Sequence, residues 1–325
     1  MRVLVTGASG LLGRVTARAL GDRGHEVRVL QRRPAGLSGE EVLGSVTDPD
    51  AVRRAVAGRD AVVHLAAKVD VVGRWSDYAA TNIAGTRTVV DACRRAEVAR
   101  LVHVSSPSVA HAGRPLVGVG AEPADPVRAR GHYARSKAVA EQVALAADTE
   151  GLAVLALRPH LVWGPGDTQL VGRIVARARA GRLPVLGSGA ALVDTTYIEN
   201  AAAALVAAVE SPVHGEALVV SNGEPRPVLD VLVGLCRAAG APAPRHRLPV
   251  RAARLAGTAV DVAWRVSGRQ DTPPLTRFLV EQLTTAHWFD QHRTGEALDW
   301  RPRVGLDEGF ARLAAWYAAG ARPVP

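Results

Sequence analysis

A tyrosine and a lysine stand four residues apart in Tyr133-Ala134-Arg135-Ser136-Lys137, inside an Ala-, Val- and Leu-rich stretch without proline that reads as a helix over 133–147. Four residues is a little more than one helical turn, so phenol and ammonium leave the helix on the same face. A neighbouring ammonium favours phenolate, and the pairing predicts a tyrosine acidified enough to exchange a proton with a carbonyl or alcohol oxygen. The chain has only four tyrosines and two lysines, so chance gives this spacing about 0.02 times per chain. Upstream, Leu101-Val102-His103-Val104 reads as a strand running into Ser105-Ser106, and either hydroxyl can hold the reacting oxygen. A serine in that position can equally be a plain turn residue.

A second chemical feature follows Val3-Leu4-Val5, where Thr6-Gly7-Ala8-Ser9-Gly10-Leu11-Leu12-Gly13 turns from a strand into a helix. Gly7 permits the tight turn, Gly10 lets backbone N–H groups approach a pyrophosphate, and Gly13 lets helix and sheet pack closely. Gly7, Ser9, Gly10, Leu11, Leu12 and Gly13 are therefore the candidate phosphate contacts. Where an NAD-selective site presents a carboxylate to the adenosine ribose, at the end of the second strand, the chain reads Leu30-Gln31-Arg32-Arg33. A guanidinium there pairs with a 2′-phosphate and stacks on adenine, so NADP(H) is expected over NAD(H), through Arg32 first and Arg33 second. A solvated arginine pair is the competing reading.

The elements that must carry these groups alternate. Strand-like runs at 3–5, 26–30, 61–65, 101–104 and 154–157 are separated by helical patterns, including 52–57 and 83–93, which is the grammar of a doubly wound parallel sheet of Rossmann type. Residues 1–160 are expected to form the dinucleotide-binding domain. Beyond Pro159, Gly/Pro turns interrupt the pattern, and 161–325 read mainly as a smaller, mostly helical substrate-binding unit, with segments near 191–222 returning to the first. A helix at 200–210 and a strand at 217–220 fall in that return. The stretch 250–266 is apolar but carries Arg251, Arg254 and Asp261, which suits a cap over an apolar pocket, core packing or a membrane surface.

Composition narrows the classes. In 325 residues, 48% are hydrophobic and 22% charged, the balance of a folded enzyme rather than a disordered scaffold. Apolar stretches are broken within about a dozen residues, short of the roughly 20 that span a bilayer, and the N-terminus lacks signal-peptide zoning. A cytoplasmic location is expected, with peripheral membrane contact allowed. The net charge of +9 comes from 38 arginines and two lysines scattered along the chain, with no basic block, so nucleic acid is not expected as a partner. Cys93 and Cys236 read as buried thiols. His103, His111 and His132 lack metal-ligand spacing, and no metal is expected.

The Gly-x-x-Gly-x-x-Gly spacing of the turn, together with Tyr133 and Lys137, resembles the extended short-chain dehydrogenase/reductase superfamily. Over residues 1 to about 320 the chain is similar to its 3β-hydroxysteroid dehydrogenase branch, and within that branch to the 2-alkyl-3-oxoalkanoate reductases of bacterial head-to-head olefin biosynthesis. The similarity rests on Ser106-Pro107-Ser108-Val109 followed by His111, on Leu157-Arg158-Pro159 with Trp163-Gly164-Pro165-Gly166-Asp167, and on Val193-Asp194-Thr195-Thr196-Tyr197-Ile198. It continues through Ser221-Asn222-Gly223-Glu224-Pro225 and Pro273-Pro274-Leu275-Thr276-Arg277-Phe278-Leu279.

The resemblance implies hydride transfer from NADPH to the C3 carbonyl of a β-keto acid with long alkyl chains. Tyr133 then gives the proton, Ser106 rather than Ser105 holds the oxygen, Lys137 grips the nicotinamide ribose, and Asn82 in a helix kink supports a water and lysine relay. It also implies that His64, Ala66, Ala67 and Arg158 line the ribose and nicotinamide. Gly44-Ser45 departs from the superfamily's Gly-Asp near the adenine. Trp163, Tyr197 and Trp264 are the expected walls of an alkyl pocket, although each aromatic alone also suits a core. A homodimer and association with other olefin-pathway enzymes are implied as well. Competing readings are a hydroxysteroid or sterol dehydrogenase, a nucleotide-sugar epimerase or dehydratase, and a non-catalytic NADP-sensing regulator.

Overall fold

Five strands of the parallel sheet carry unbroken apolar runs, at 3–5, 61–63, 101–102, 153–157 and 217–220, because helices cover both faces and leave no side of these runs to face water. In this computed structural model, residues 1–320 are described except 35, 38, 71–72, 112, 268–272 and 274, so Pro274 of the motif above lies outside the described residues. The sheet strands are β1 (Arg2–Thr6), β2 (Glu26–Gln31), β3 (Glu40–Leu43), β4 (Ala61–His64), β5 (Arg100–Val104), β6 (Ala153–Pro159) and β7 (Ala217–Val220). Their spatial order is β7-β6-β5-β4-β1-β2-β3, all parallel. The order reverses between β1 and β4, and a crevice opens there outside the carboxyl ends of the strands.

Helix α1 (Leu11–Asp22) and the Ala-rich Ile198–Glu210 cover one face, burying Leu20, Ala204 and Leu205 against Val3, Val5 and Val102. On the other face lie α2 (Pro49–Val56) and α3 (Gly85–Arg95), with Val52, Val89 and Cys93 buried against Leu4, Val62 and Leu101. Asp48 caps α2 by accepting from the N–H groups of Asp50 and Ala51 at 2.9 and 3.3 Å. Helix α4 (Gly131–Leu145) carries the tyrosine and lysine.

The smaller unit mixes helices with short strands. Leu192–Val193 is flanked by Arg226–Pro227 and His287–Phe289, and Leu116–Val119 completes this four-stranded sheet from well inside the first half of the chain. Around it stand α5 (Val171–Arg179), α6 (Val228–Ala238), α7 (Val250–Ser267), α8 (Arg277–Thr284) and α9 (Leu306–Ala318). Both cysteines are buried and unpaired. Among the described residues no helix is long and apolar enough to cross a membrane.

Candidate active site

The turn after β1 is shaped by two glycines. Gly7 has φ +77°, and a Cβ there would lie 2.8 Å from the Ala66 nitrogen; a Cβ on Gly13 would lie 2.4 Å from the Gly7 oxygen. The first contact seats the turn against the chain leaving β4, and the second seats α1 against the turn. Helix α1 begins at Gly10 with no side-chain cap, which leaves its first N–H groups and its positive end free for an anion. Ser9 and Gly10 are exposed and Leu11, Leu12, Ala66 and Ala67 half-buried around that opening. A turn that two glycines draw tight, beside an uncapped helix N-terminus, fits the pyrophosphate of a dinucleotide.

Arg32 and Arg33 follow β2 and are both exposed at the same edge. His64 ends β4 and is buried, with Nδ1 2.8 Å from the Thr6 hydroxyl and Nε2 3.1 Å from that of Thr86. Burial pushes its imidazole down to about 3, so it is a neutral link between β1, β4 and α3.

Ser106, half-buried, follows β5 and caps the short turn Pro107–Ala110, accepting from the Ser108 N–H at 3.3 Å and standing 2.9 Å from the Ser108 hydroxyl. Tyr133, on α4, borders the same cavity as Ser106, close enough for the serine hydroxyl to draw the phenol's pKa down. Ser105 is buried with its hydroxyl unpartnered and does not border the open cavity, whereas Ser106 and Ser108 do. Lys137 sits on the same helix, but its ammonium donates to the Val104 carbonyl at 2.6 Å and approaches His103 Nε2 at 3.5 Å.

The expected acidification of Tyr133 by Lys137 is not what this geometry gives. Burial raises the phenol above its ordinary value, opposed only by the Ser106 hydroxyl. Burial also pushes Lys137 down to about 8, with Glu141 pulling the other way. The ammonium turned toward Val104 is spent on the strand, so its influence on the phenol is lost.

Asn82 lies in a π-helical turn, Ala79–Ala84, between a short helix and α3. That extra residue per turn is the kink. Its amide accepts from the Lys68 N–H at 2.7 Å and donates to the Lys68 carbonyl at 3.1 Å and to the Ser136 hydroxyl at 2.8 Å. Ser136 in turn donates to the Tyr133 carbonyl at 2.8 Å. Asn82 therefore braces the helical turn that carries Tyr133, through a serine that sequence reasoning passed over although it sits inside the same five-residue motif.

From Ser106 and Tyr133 a cavity of about 870 Å³ runs into the smaller unit. Leu170, Ile174, Val231, Leu232, Leu235 and Trp264 line its apolar end. His111, His160 and His287 line it too, and nothing in their sequence spacing announced that they would meet.

Residues 3–221 match the family described as "NAD dependent epimerase/dehydratase family". The chain belongs to this family. It is an extended short-chain dehydrogenase/reductase and an NAD(P)-dependent oxidoreductase. Among its relatives, the 2-alkyl-3-oxoalkanoate reductase of Stenotrophomonas maltophilia is 41% identical over 332 residues, covering 98% of this chain and 100% of the relative. The 2-alkyl-3-oxoalkanoate reductase of Shewanella oneidensis is 35% identical over 330 residues, covering 96% and 85%. Among solved structures, MoeE5 in complex with UDP-glucose and NAD superposes with a TM-score of 0.75 at 25% identity, covering 98% of this chain and 99% of that one.

Within this family member, four expected ligand contacts prove to be interior: His64, whose ring nitrogens are both held by buried hydroxyls, and Arg158, Trp163 and Tyr197. Arg158 does not reach the crevice: its guanidinium is buried and paired with Glu141, at 2.8 Å from Nε to Oε2, and donates to the Glu122 carbonyl at 2.6 Å. A buried guanidinium takes a carboxylate because desolvation without one is too costly. Trp163 is buried, stacked on Phe310 with ring centroids 4.9 Å apart, and donates to the Thr195 hydroxyl at 3.0 Å. Tyr197 packs edge-on against it at 5.4 Å. Neither borders the cavity; of the three aromatics expected there, Trp264 alone does.

Proposed function

We propose that this protein reduces 2-alkyl-3-oxoalkanoates to 2-alkyl-3-hydroxyalkanoates with NADPH. The observation that carries the reading is the apolar cavity of about 870 Å³ opening directly from Ser106 and Tyr133. Its volume and the leucine, isoleucine and valine side chains along part of its wall suit two alkyl chains. The names of the two relatives support the same substrate class.

The dinucleotide supplies the hydride when bound. Gly7, Ser9, Gly10, Leu11, Leu12 and Gly13 would hold its pyrophosphate, Ala66 and Ala67 its central portion, and Arg32 and Arg33 a 2′-phosphate. On the protein side, Ser106 accepts from the Ser108 N–H and keeps its own proton to donate to the C3 oxygen. Tyr133, held beside Ser106 and braced through Ser136 by Asn82, gives its phenolic proton to that oxygen as negative charge builds on it. A phenol kept protonated by burial is the right acid for the reductive direction, because it arrives loaded. Lys137 would hold the nicotinamide ribose in place of its bond to the Val104 carbonyl, and its positive charge would assist reprotonation of Tyr133.

The test is purified protein with NADP⁺ and a panel of a 2-alkyl-3-hydroxy acid, a 3β-hydroxysteroid and a UDP-sugar, following absorbance of reduced nicotinamide. Turnover of the hydroxy acid is expected. Oxidation of the steroid alone would replace the substrate assignment. Arg32→Ala is expected to lower the preference for NADPH over NADH by about tenfold or more, and unchanged preference would remove Arg32 from its role.

A further inference from the structure

Four buried polar atoms that lack a hydrogen-bond partner belong to side chains lining this cavity: Nε2 of His111, Nδ1 of His160, Nδ1 of His287 and Oε2 of Glu281. A buried polar atom left unpaired carries its desolvation penalty without return, so a cluster of them beside a cavity favours a polar ligand group there. The three imidazoles line this cavity and are only 3%, 6% and 2% exposed, so little of each ring is open to solvent. Among the described residues no group of three or more His, Cys, Asp or Glu side chains could hold a metal ion, which turns the cluster toward an organic group.

Position and chemistry both limit what that group is. His111 closes the turn that begins at Ser106, its N–H bonded to the Ser108 carbonyl at 3.2 Å, so the cluster starts one turn away from the hydroxyl that holds the reacting oxygen. His160 follows β6 and meets His287 edge-on, with centroids 5.0 Å apart, and Phe289 closes the same side at 5.0 Å. His287 donates through Nε2 to the Gln282 carbonyl at 2.6 Å, which leaves Nδ1 as a bare acceptor in the neutral ring. Burial keeps all three rings neutral when nothing is bound. Glu281 does not fill the role itself, since its other oxygen is held by Arg130 and Arg277.

The His287 acceptor needs a ligand that brings a proton, and a carboxyl group does so while its oxygens accept from any neutral imidazole that presents an N–H instead. One proton shared between carboxyl and imidazole satisfies both partners. Hydrocarbon would leave every one of these atoms unpaired. We infer that His111, His160 and His287 form the subsite for the carboxyl group of the 3-oxo or 3-hydroxy acid, and that this group selects the substrate. The inference rests on the reductase reading above. In that substrate the carboxyl carbon is two bonds from the carbonyl carbon, so a carbonyl held at Ser106 and Tyr133 presents its carboxyl to a neighbouring wall while the alkyl chains extend toward Trp264.

The experiment compares a 2-alkyl-3-hydroxy acid with its methyl ester as substrates for oxidation by NADP⁺, in the wild type and in His111→Leu and His160→Leu. The wild type is expected to show a KM for the acid about tenfold below that for the ester. Each variant is expected to raise the acid KM about tenfold with kcat little changed and the ester KM unmoved, because only the acid uses the subsite. Binding of NADPH, read by its fluorescence, checks that each variant is folded. A leucine variant that fails this check is replaced by His111→Gln or His160→Asn, which stay polar but cannot hold the shared proton, with the same expectation. Equal KM values for acid and ester in the wild type, or variants that move both alike, overturn the carboxyl subsite and leave the reductase reading standing. Turnover of neither overturns both.

Discussion

The ammonium of Lys137 lies 2.6 Å from the carbonyl oxygen of Val104, so the helix that carries the proton donor is fastened to the strand that leads into Ser106. This contact explains how two residues from different parts of the chain, Ser106 and Tyr133, keep their register. It also puts a cation in a buried place without a carboxylate in hydrogen-bond contact with it, and the titration of Lys137 follows from that.

Without cofactor, Lys137 holds its proton to about pH 8, against 10.5 when unperturbed, because burial disfavours the charged form. Between those two values the unfolded chain binds more protons than the folded one, so stability rises with pH across that window, and the penalty is complete below about pH 8. Relative to Lys137→Met, wild-type protein should gain stability as the pH is raised from 8 to 10. Urea midpoints measured across that range check it. A difference independent of pH would mean that the buried ammonium is not titrating as described.

Tyr133→Phe removes the proton donor while keeping the ring. A fall in kcat of about 10²–10⁴-fold is expected, with NADPH affinity preserved, since general acid catalysis is worth that much. Steady-state rates together with fluorescence titration of NADPH separate the two effects. Substantial residual turnover would transfer the proton-donating role to another group.

The buried Arg158–Glu141 pair makes a structural prediction. Glu141→Ala should lower stability by about 3–5 kcal/mol, because it strands a buried guanidinium. Replacing both partners by leucine should cost much less than either single change. Denaturant midpoints of the three variants measure this. If Arg158→Leu instead weakened NADPH binding without loss of stability, the arginine would return to the cofactor crevice.

The two tryptophans should part company in the same assays. Trp163 fills the core against Phe310 and Tyr197, so Trp163→Ala should destabilise by about 3–5 kcal/mol. Trp264 borders the cavity, and Trp264→Ala should chiefly raise the KM for long-chain substrates. Chain-length series with each variant distinguish a wall of the pocket from a pillar of the core.

The alternating strands and helices were legible because buried parallel strands carry consecutive apolar residues on both faces, as in Val3-Leu4-Val5 and Leu101-Val102. Strand β3 escaped notice because it lies at the sheet edge and begins Glu40-Glu41, where exposure erases the pattern. The glycine turn and the Tyr133–Lys137 spacing could be read directly, since both are local: a few residues set the backbone path and the helix face. The direction of the Lys137 ammonium could not, because it depends on the Val104 carbonyl of a different strand.

Local chemistry in the chain thus determined the dinucleotide turn, the proton donor and the doubly wound plan, for each is written within one or two turns of backbone. Tertiary structure decided which aromatics became core, that Arg158 is spent on Glu141, that Asn82 acts through Ser136, and that three histidines from distant segments share one wall. Those outcomes depend on burial and on which side chains meet across the fold, and neither quantity has a period or a spacing that a linear sequence displays.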